Sequence, residues 1–144
     1  MSEWQVKKLE EMTARELFAI LYTRSEVFVV EQECVFQEPT IEDLTCLHVF
    51  KVDEKQDLVA YARIIDNEEY ITFGRVITAS KYRGTGEGQK LLTTVMAEIN
   101  KRYPNRPVKI QAQAYLEKFY GSFGFKSVSD YYLEDDIKHI DMAK

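Results

Sequence analysis

The densest chemistry in this chain lies in six consecutive residues, Arg83, Gly84, Thr85, Gly86, Glu87 and Gly88. Glycines at alternate positions let a backbone turn tightly and come close to a ligand. Just beyond them, Leu91, Leu92, Val95, Met96 and Ile99 recur at the spacing of one helix face. The first turn of such a helix carries unpaired N–H groups and the positive end of the helix dipole, an arrangement that suits phosphate oxygens. Three phosphate motifs compete for the segment. A P-loop would end in Gly-Lys-Ser/Thr, which is missing here. A dinucleotide turn needs Gly-x-Gly-x-x-Gly within a βαβ unit, whereas these glycines read Gly-x-Gly-x-Gly after successive strands. The third pattern, Arg/Gln-x-x-Gly-x-Gly/Ala, is matched by Arg83, Gly86 and Gly88. From the hexamer alone, an ordinary glycine-rich loop stays open as the alternative.

Few other side chains invite chemistry. Glu31 could bind a cationic amine or relay its proton, and a neutral His48 could serve as a base. The structural alternatives are a solvated helix end for Glu31 and a hydrogen-bonded strand histidine for His48. Arg75 alternates onto one strand face with Phe73 and Ile77. An arginine among apolar neighbours needs a partner: Glu31, an acidic substrate or a structural ion pair. Two histidines and two cysteines, Cys34 and Cys46, stand in no metal-ligand spacing, so no metal is expected.

The elements that must position these residues can be read from local signals. Residues 4–9 suggest a first strand. Thr13 and Glu16 form a capping box ahead of Leu17, Phe18, Ile20 and Leu21, and the helix should fade over residues 27–30. Residues 33–45 read as an acidic loop. Strands are predicted over 47–52, 58–65 and 70–78, joined as an antiparallel meander. The glycine loop and its helix follow, then a strand over 108–113, a short helix carrying Tyr115 to Phe123, and a closing strand pair over 125–133 and 137–142. The resulting class is α/β of the α+β type, a mixed, mostly antiparallel central sheet flanked by helices, in one domain over residues 1–144.

Composition narrows the function. The chain has 144 residues, 45% hydrophobic and 30% charged, which is a globular balance. Its net charge is −5 and it has no basic tract, which argues against a nucleic-acid partner. No basic-then-apolar leader or long apolar run is present, so no membrane association and a soluble, cytoplasmic location are expected. A homodimer is compatible with all of this.

With these residues in view, the chain resembles the GNAT N-acetyltransferases. The stretch from Arg75, Val76, Ile77 and Thr78 through Leu92 resembles their motif A, and Gln111 through Phe125 resembles motif B. Arg24 through Gln32, His48, and the ending Glu134 through Ile140 resemble the ElaA-like subgroup. The resemblance implies a GNAT acyl-CoA N-acyltransferase fold and acetyl-CoA as co-substrate. The pyrophosphate would lie on the N–H groups of residues 83–88. The pantetheine arm would pair with the edge of Val76, Ile77 and Thr78, near Gln113, between splayed strands. A strand bulge that exposes an N–H to the thioester carbonyl would fall at Ile77. Tyr120 matches the family tyrosine that protonates the departing thiolate; the alternative is a core tyrosine. Direct attack by an amine needs no cysteine nucleophile. Glu31 and His48 would serve the acceptor side, with Arg75 or Glu31 contacting substrate. The chain departs from the family at Gln113, where Asn is common, and at Tyr115, where His occurs in relatives. Two other readings remain: an acyl-homoserine-lactone synthase, and a CoA-binding module without activity. Glu38, Glu42 and Asp43, expected at the mouth of the site, favour a cationic amine.

Overall fold

The computed structural model of the chain describes residues 3–35 and 37–144. Four strands form the first sheet in chain order: β1 (Gln5–Lys7), β2 (Leu47–Val52), β3 (Leu58–Asp66) and β4 (Ile71–Thr78), each antiparallel to its neighbour. The second sheet contains β5 (Lys109–Gln113), β6 (Lys126–Ser127), β7 (Tyr132–Glu134) and β8 (Ile137–Ala143), with β8 antiparallel to the other three. A parallel bridge, Ile71 to Val108, joins the two sheets, and the Ile71 amide donates to the Pro107 carbonyl at 2.9 Å. Beyond that bridge no ladder links β4 to β5 among the described residues, and a cleft opens between them.

Three α-helices pack on this frame: α1 (Ala14–Arg24), α2 (Glu87–Arg102) and α3 (Glu117–Gly121). The Thr13 hydroxyl accepts from the Glu16 amide at 3.0 Å, and Glu16 accepts from the Thr13 amide at 2.9 Å, which starts α1 as its capping box requires. The helix does not stop where β-branched residues begin. It widens into a π-helical segment, Ser25–Glu31, closed by the Cys34 amide on the Val29 carbonyl at 3.0 Å. None of these helices is long and apolar enough to cross a membrane.

The first sheet is covered on both faces, which is why β3 reads as a continuous apolar run. Ala60, Ala62 and Ile64 join Leu91, Leu92, Val95 and Ile99 of α2 in the larger core cluster. Tyr61 joins Ala19, Ile20 and Phe50 in the smaller one on the α1 side. The larger cluster continues into the second sheet through Ile110, Ala112, Ile140 and Met142.

Three details differ from expectation. In β4, Ile77 faces Tyr61 but Gly74 faces Arg63, so three steps on β4 oppose two on β3. That is a β-bulge, and Arg75 sits in it at φ 51°. The bulge reverses the strand's facing: Phe73 packs into the larger cluster and Ile77 into the smaller, so Arg75, Phe73 and Ile77 do not share a face. Residues 125–133 form two short strands rather than one. Between them the Ser129 hydroxyl accepts from the Asp141 amide at 2.9 Å, taking the place of a ladder carbonyl. The first strand is limited to Gln5–Lys7 because the chain turns at once into a 3₁₀ segment, Leu9–Glu11.

Candidate active site

The cleft between the sheets encloses about 910 Å³. One wall carries Gly74, Arg75 and Val76 of the bulged strand, with Arg63 of β3 and Phe28 of the π-helical segment. The opposite wall carries Gln111 and Gln113 of β5 and His139 of β8, and Tyr120 also lines the space. Val76 and Gln113, both half-buried, therefore line the same cleft. Ile77 does not line it; it is buried and paired with Tyr61, so the bulge falls at residues 74–76 and not at Ile77. Thr78 pairs with Ala60.

The glycine loop enters α2. Gly84 and Gly86 hold φ 81° and 85°, a region L side chains seldom occupy, and Gly86 is the helix N-cap. The first intrahelical bond runs from the Lys90 amide to the Gly86 carbonyl at 3.2 Å, so the amides of residues 87–89 have no intrahelical acceptor. Gly88 differs: a Cβ there would stand 3.4 Å from the Thr78 hydroxyl, an ordinary contact, so its position beside the end of β4 does not by itself require glycine. The loop is braced from outside. The Tyr82 hydroxyl donates to Asp53 at 2.6 Å, Lys81 pairs with Asp53 at 3.2 Å, and the Thr85 hydroxyl donates to the Tyr82 carbonyl. Desolvation pushes the Asp53 carboxyl up, but Tyr82, the Asp57 and Lys55 amides and Lys81 hold it down at about 2. Glu87 turns its side chain inward, where Lys51 meets both oxygens at 3.0 Å.

Tyr120 of α3 is 4% exposed, with its ring against Phe73 at 6.0 Å and Phe119 at 5.4 Å between centroids. Its hydroxyl donates to no partner among the described residues, although the residue lines the cleft. Burial, and then the neighbouring Tyr115, push this phenol above the ordinary tyrosine range, so it keeps its proton at neutral pH.

The acceptor-side candidates do not come together. Glu31 is on the surface and accepts from Arg83 of the glycine loop at 2.9 Å, while the same guanidinium donates to the Thr78 carbonyl at 3.1 Å. His48 is 1% exposed. One ring nitrogen meets the Tyr61 hydroxyl at 2.6 Å and the other the Asp43 carbonyl at 3.0 Å, so both are occupied and neither faces the cleft. That burial corrects the expectation that His48 meets an acceptor amine. Burial also lowers its basicity, although Asp43 acts the other way.

Around His48 lies a network that local sequence signals did not announce. Arg24, at the end of α1 and fully buried, pairs with Glu38 through Nε and with both Asp43 oxygens at 2.9 and 3.0 Å. Arg63 reaches Asp43 at 3.0 Å and the Thr40 hydroxyl at 2.7 Å. Arg75 meets Glu38 at 2.9 Å, not Glu31. Desolvation pushes the Asp43 carboxyl up, but Arg24, the Thr40 amide and Arg63 hold it well below the usual range. Glu38 and Asp43 are thus buried ion-pair partners and not a solvated acidic mouth; Glu42 alone of the three is exposed. The expectation of a cationic amine loses that support. The available signal was the spacing of Tyr61 and Arg63, two polar groups on one face of an otherwise apolar strand. Asp43, Cys46 and His48 also bring one potential metal-ligand atom each within 4.8 Å of the others. Asp43 is committed to two arginines and both His48 nitrogens are occupied, while burial pushes the Cys46 thiol up to about 11. This donor set does not fit a cation.

The sequence matches the acetyltransferase (GNAT) domain over residues 11–144. It is 42% identical to Protein ElaA of Escherichia coli, with 100% of this chain and 97% of that protein covered. The crystal structure of Escherichia coli ElaA superposes with a TM-score of 0.93 at 41% identity, covering 99% of each chain. An acyl-CoA N-acyltransferase from Pseudomonas aeruginosa superposes equally, with a TM-score of 0.93 and 38% identity, over 100% of this chain and 99% of that one. A CoA-dependent acyl-homoserine lactone synthase, BjaI, solved with SAM and isopentyl-CoA, has a TM-score of 0.83 at 10% identity. It covers 99% of this chain and 82% of its own and shares the fold. A matched family domain over nearly the whole chain, full-length relatives above 40% identity and a splayed cleft beside a glycine loop converge: this chain belongs to the GNAT acetyltransferase family of CoA-dependent acyltransferases.

Proposed function

We propose that the chain is a single-domain N-acetyltransferase that moves the acetyl group of acetyl-CoA to an amine by direct attack. The observation that supports this reading is an adjacency: Gly88 at the amide-rich start of α2 stands beside Thr78 and Phe119, and the residues Val76 and Tyr120 close to these in the chain line the cleft. The loop amides of residues 84–89 would take the pyrophosphate, with Arg83 beside them. The edge at Val76 and Thr78 would pair with the pantetheine arm, opposite Gln113. As the C–N bond forms, the C–S bond breaks and its electron pair leaves on sulfur. Tyr120, still protonated, would hand its proton to that thiolate and regain one from solvent. Arg75 and Arg63 on the α1 side bound the space left for the acceptor.

Calorimetric titration with CoA, followed by thiol release from acetyl-CoA across a polyamine, an aminoglycoside, free amino acids and a lysine peptide, tests the proposal. Micromolar CoA binding with amine-dependent release is expected. Binding with no turnover on any amine would favour a CoA-binding module. Turnover only from an acyl carrier protein donor would favour the lactone-synthase reading.

A further inference from the structure

We infer that His139 is the base that takes the proton of the acceptor amine. The inference rests on the acetyl-transfer reading above and adds a residue to it. His139 is the second of only two histidines, and unlike His48 it lines the cleft. It lies on β8 between two strands, opposite Gln113 of β5 and Tyr132 of β7. Its neighbours Ile140 and Met142 point into the core, while Ile137, His139 and Asp141 face the cleft.

One hydrogen bond fixes the chemistry of the ring. Nδ1 stands 2.7 Å from the Ile137 carbonyl. A carbonyl only accepts, so in the neutral ring Nδ1 carries the proton and Nε2 keeps its lone pair. Nε2 has no protein partner among the described residues. The ring is also held in plane by Tyr132, stacked at 6.0 Å and 22°, and the Tyr132 hydroxyl is anchored on Asp141. A histidine with one nitrogen locked to a carbonyl, a braced ring, half-exposure and a free lone pair over a substrate cleft is arranged to accept a proton.

In the step itself, Nε2 takes one proton from the amine nitrogen as that nitrogen bonds to the acetyl carbon. The C–S bond breaks, the sulfur receives the electron pair and then the Tyr120 proton, and His139 returns its proton to solvent. The charged groups around the ring act in opposite directions. Glu134, Asp135 and Asp141 on its own sheet are negative, while Arg63 and Arg75 across the cleft are positive. Lys109, Tyr70, Tyr115, Tyr120 and Cys34 complete the titratable lining, and Tyr132 stacks on the ring; burial, then Asp135 and Asp136, raise the Cys34 thiol.

Nitrogen-15 NMR of histidine-labelled protein decides the tautomer without turnover: the neutral His139 should be protonated at Nδ1. His139→Gln should bind CoA as the wild type does and lose about a hundredfold in kcat with the fastest amine of the panel. The acid limb of its kcat/KM profile should flatten, which a merely structural role would not produce. An Nε2-protonated His139, or a variant whose pH profile superimposes on the wild type, overturns the inference. If no amine turns over while CoA binds, the acetyl-transfer reading fails instead, and the spectrum still reports on His139.

Discussion

The glycine loop, which follows β4, and the arginine–carboxylate network, which reaches β4 through Arg75, are built from opposite materials. The loop presents backbone: amides at a helix start and positive-φ glycines, with side chains turned aside or used for bracing. The network presents charge: Arg24, Arg63 and Arg75 against Glu38 and Asp43, nearly all out of water. A backbone site resists only changes that disturb its path. A buried charge network resists the loss of any member, because each partner left behind is stranded in a medium that solvates it poorly.

The widest separation between the two should come from Arg24→Met. It leaves Glu38 and Asp43 without their shared cation, and a loss of about 3–5 kcal/mol in urea unfolding is expected. A loss below about 1 kcal/mol would mean that Arg63 and Arg75 suffice, since exposed pairs contribute no more than that. Gly86→Val should leave the fold within about 1–2 kcal/mol of wild type, the cost of a left-handed non-glycine residue. Its CoA Kd should rise roughly a hundredfold, or about 2.7 kcal/mol, because the amides move off the ligand. An unchanged Kd in a folded variant would remove the loop from the site.

Tyr120→Phe lies between the two regions and keeps the ring contacts with Phe73 and Phe119. It should bind CoA normally and lose roughly tenfold in kcat. Because burial raises this phenol, wild-type activity should not decline on its account as pH rises through the ordinary tyrosine range. Wild-type kcat in the variant would make Tyr120 a packing residue only. The smallest effect is a pH dependence. Burial lowers the His48 pKa in the fold, so the unfolded chain binds its proton more readily. Stability is then greatest above about pH 6.5, the unfolded value, and falls as pH drops below it. His48→Gln should flatten that slope between pH 7 and 5 in thermal melts; an undiminished slope would trace it to the carboxylates.

The same contrast explains what could be read from the sequence. The capping box at Thr13 and Glu16, the strand at Leu47–Val52 and the helix after the glycine loop follow from residues adjacent in the chain. The network does not. It needs the segment carrying Glu38 and Asp43 to fold over the end of α1, and in sequence those acids look like solvent-facing loop residues. The resemblance implies a bulge at Ile77, and its actual place is hidden for a similar reason: the alternation of Ile71, Phe73, Arg75 and Ile77 looks unbroken until the partner strand is counted. His139 looked unremarkable because its tautomer is set by a carbonyl two residues away.

The extra residue in β4 also limits how this chain can change length. Removing any one of residues 74–76 would shift the phase of the strand's second half, sending Ile77 toward α2 and moving the Thr78 carbonyl off Arg83. No side-chain substitution restores a lost phase. The distance along the chain from Phe73 to Gly84 is therefore fixed as firmly as any contact in the core. Insertions and deletions that separate relatives should collect in the turn between β2 and β3 or in the segment after the π-helix, and gaps placed inside β4 should be read as alignment errors.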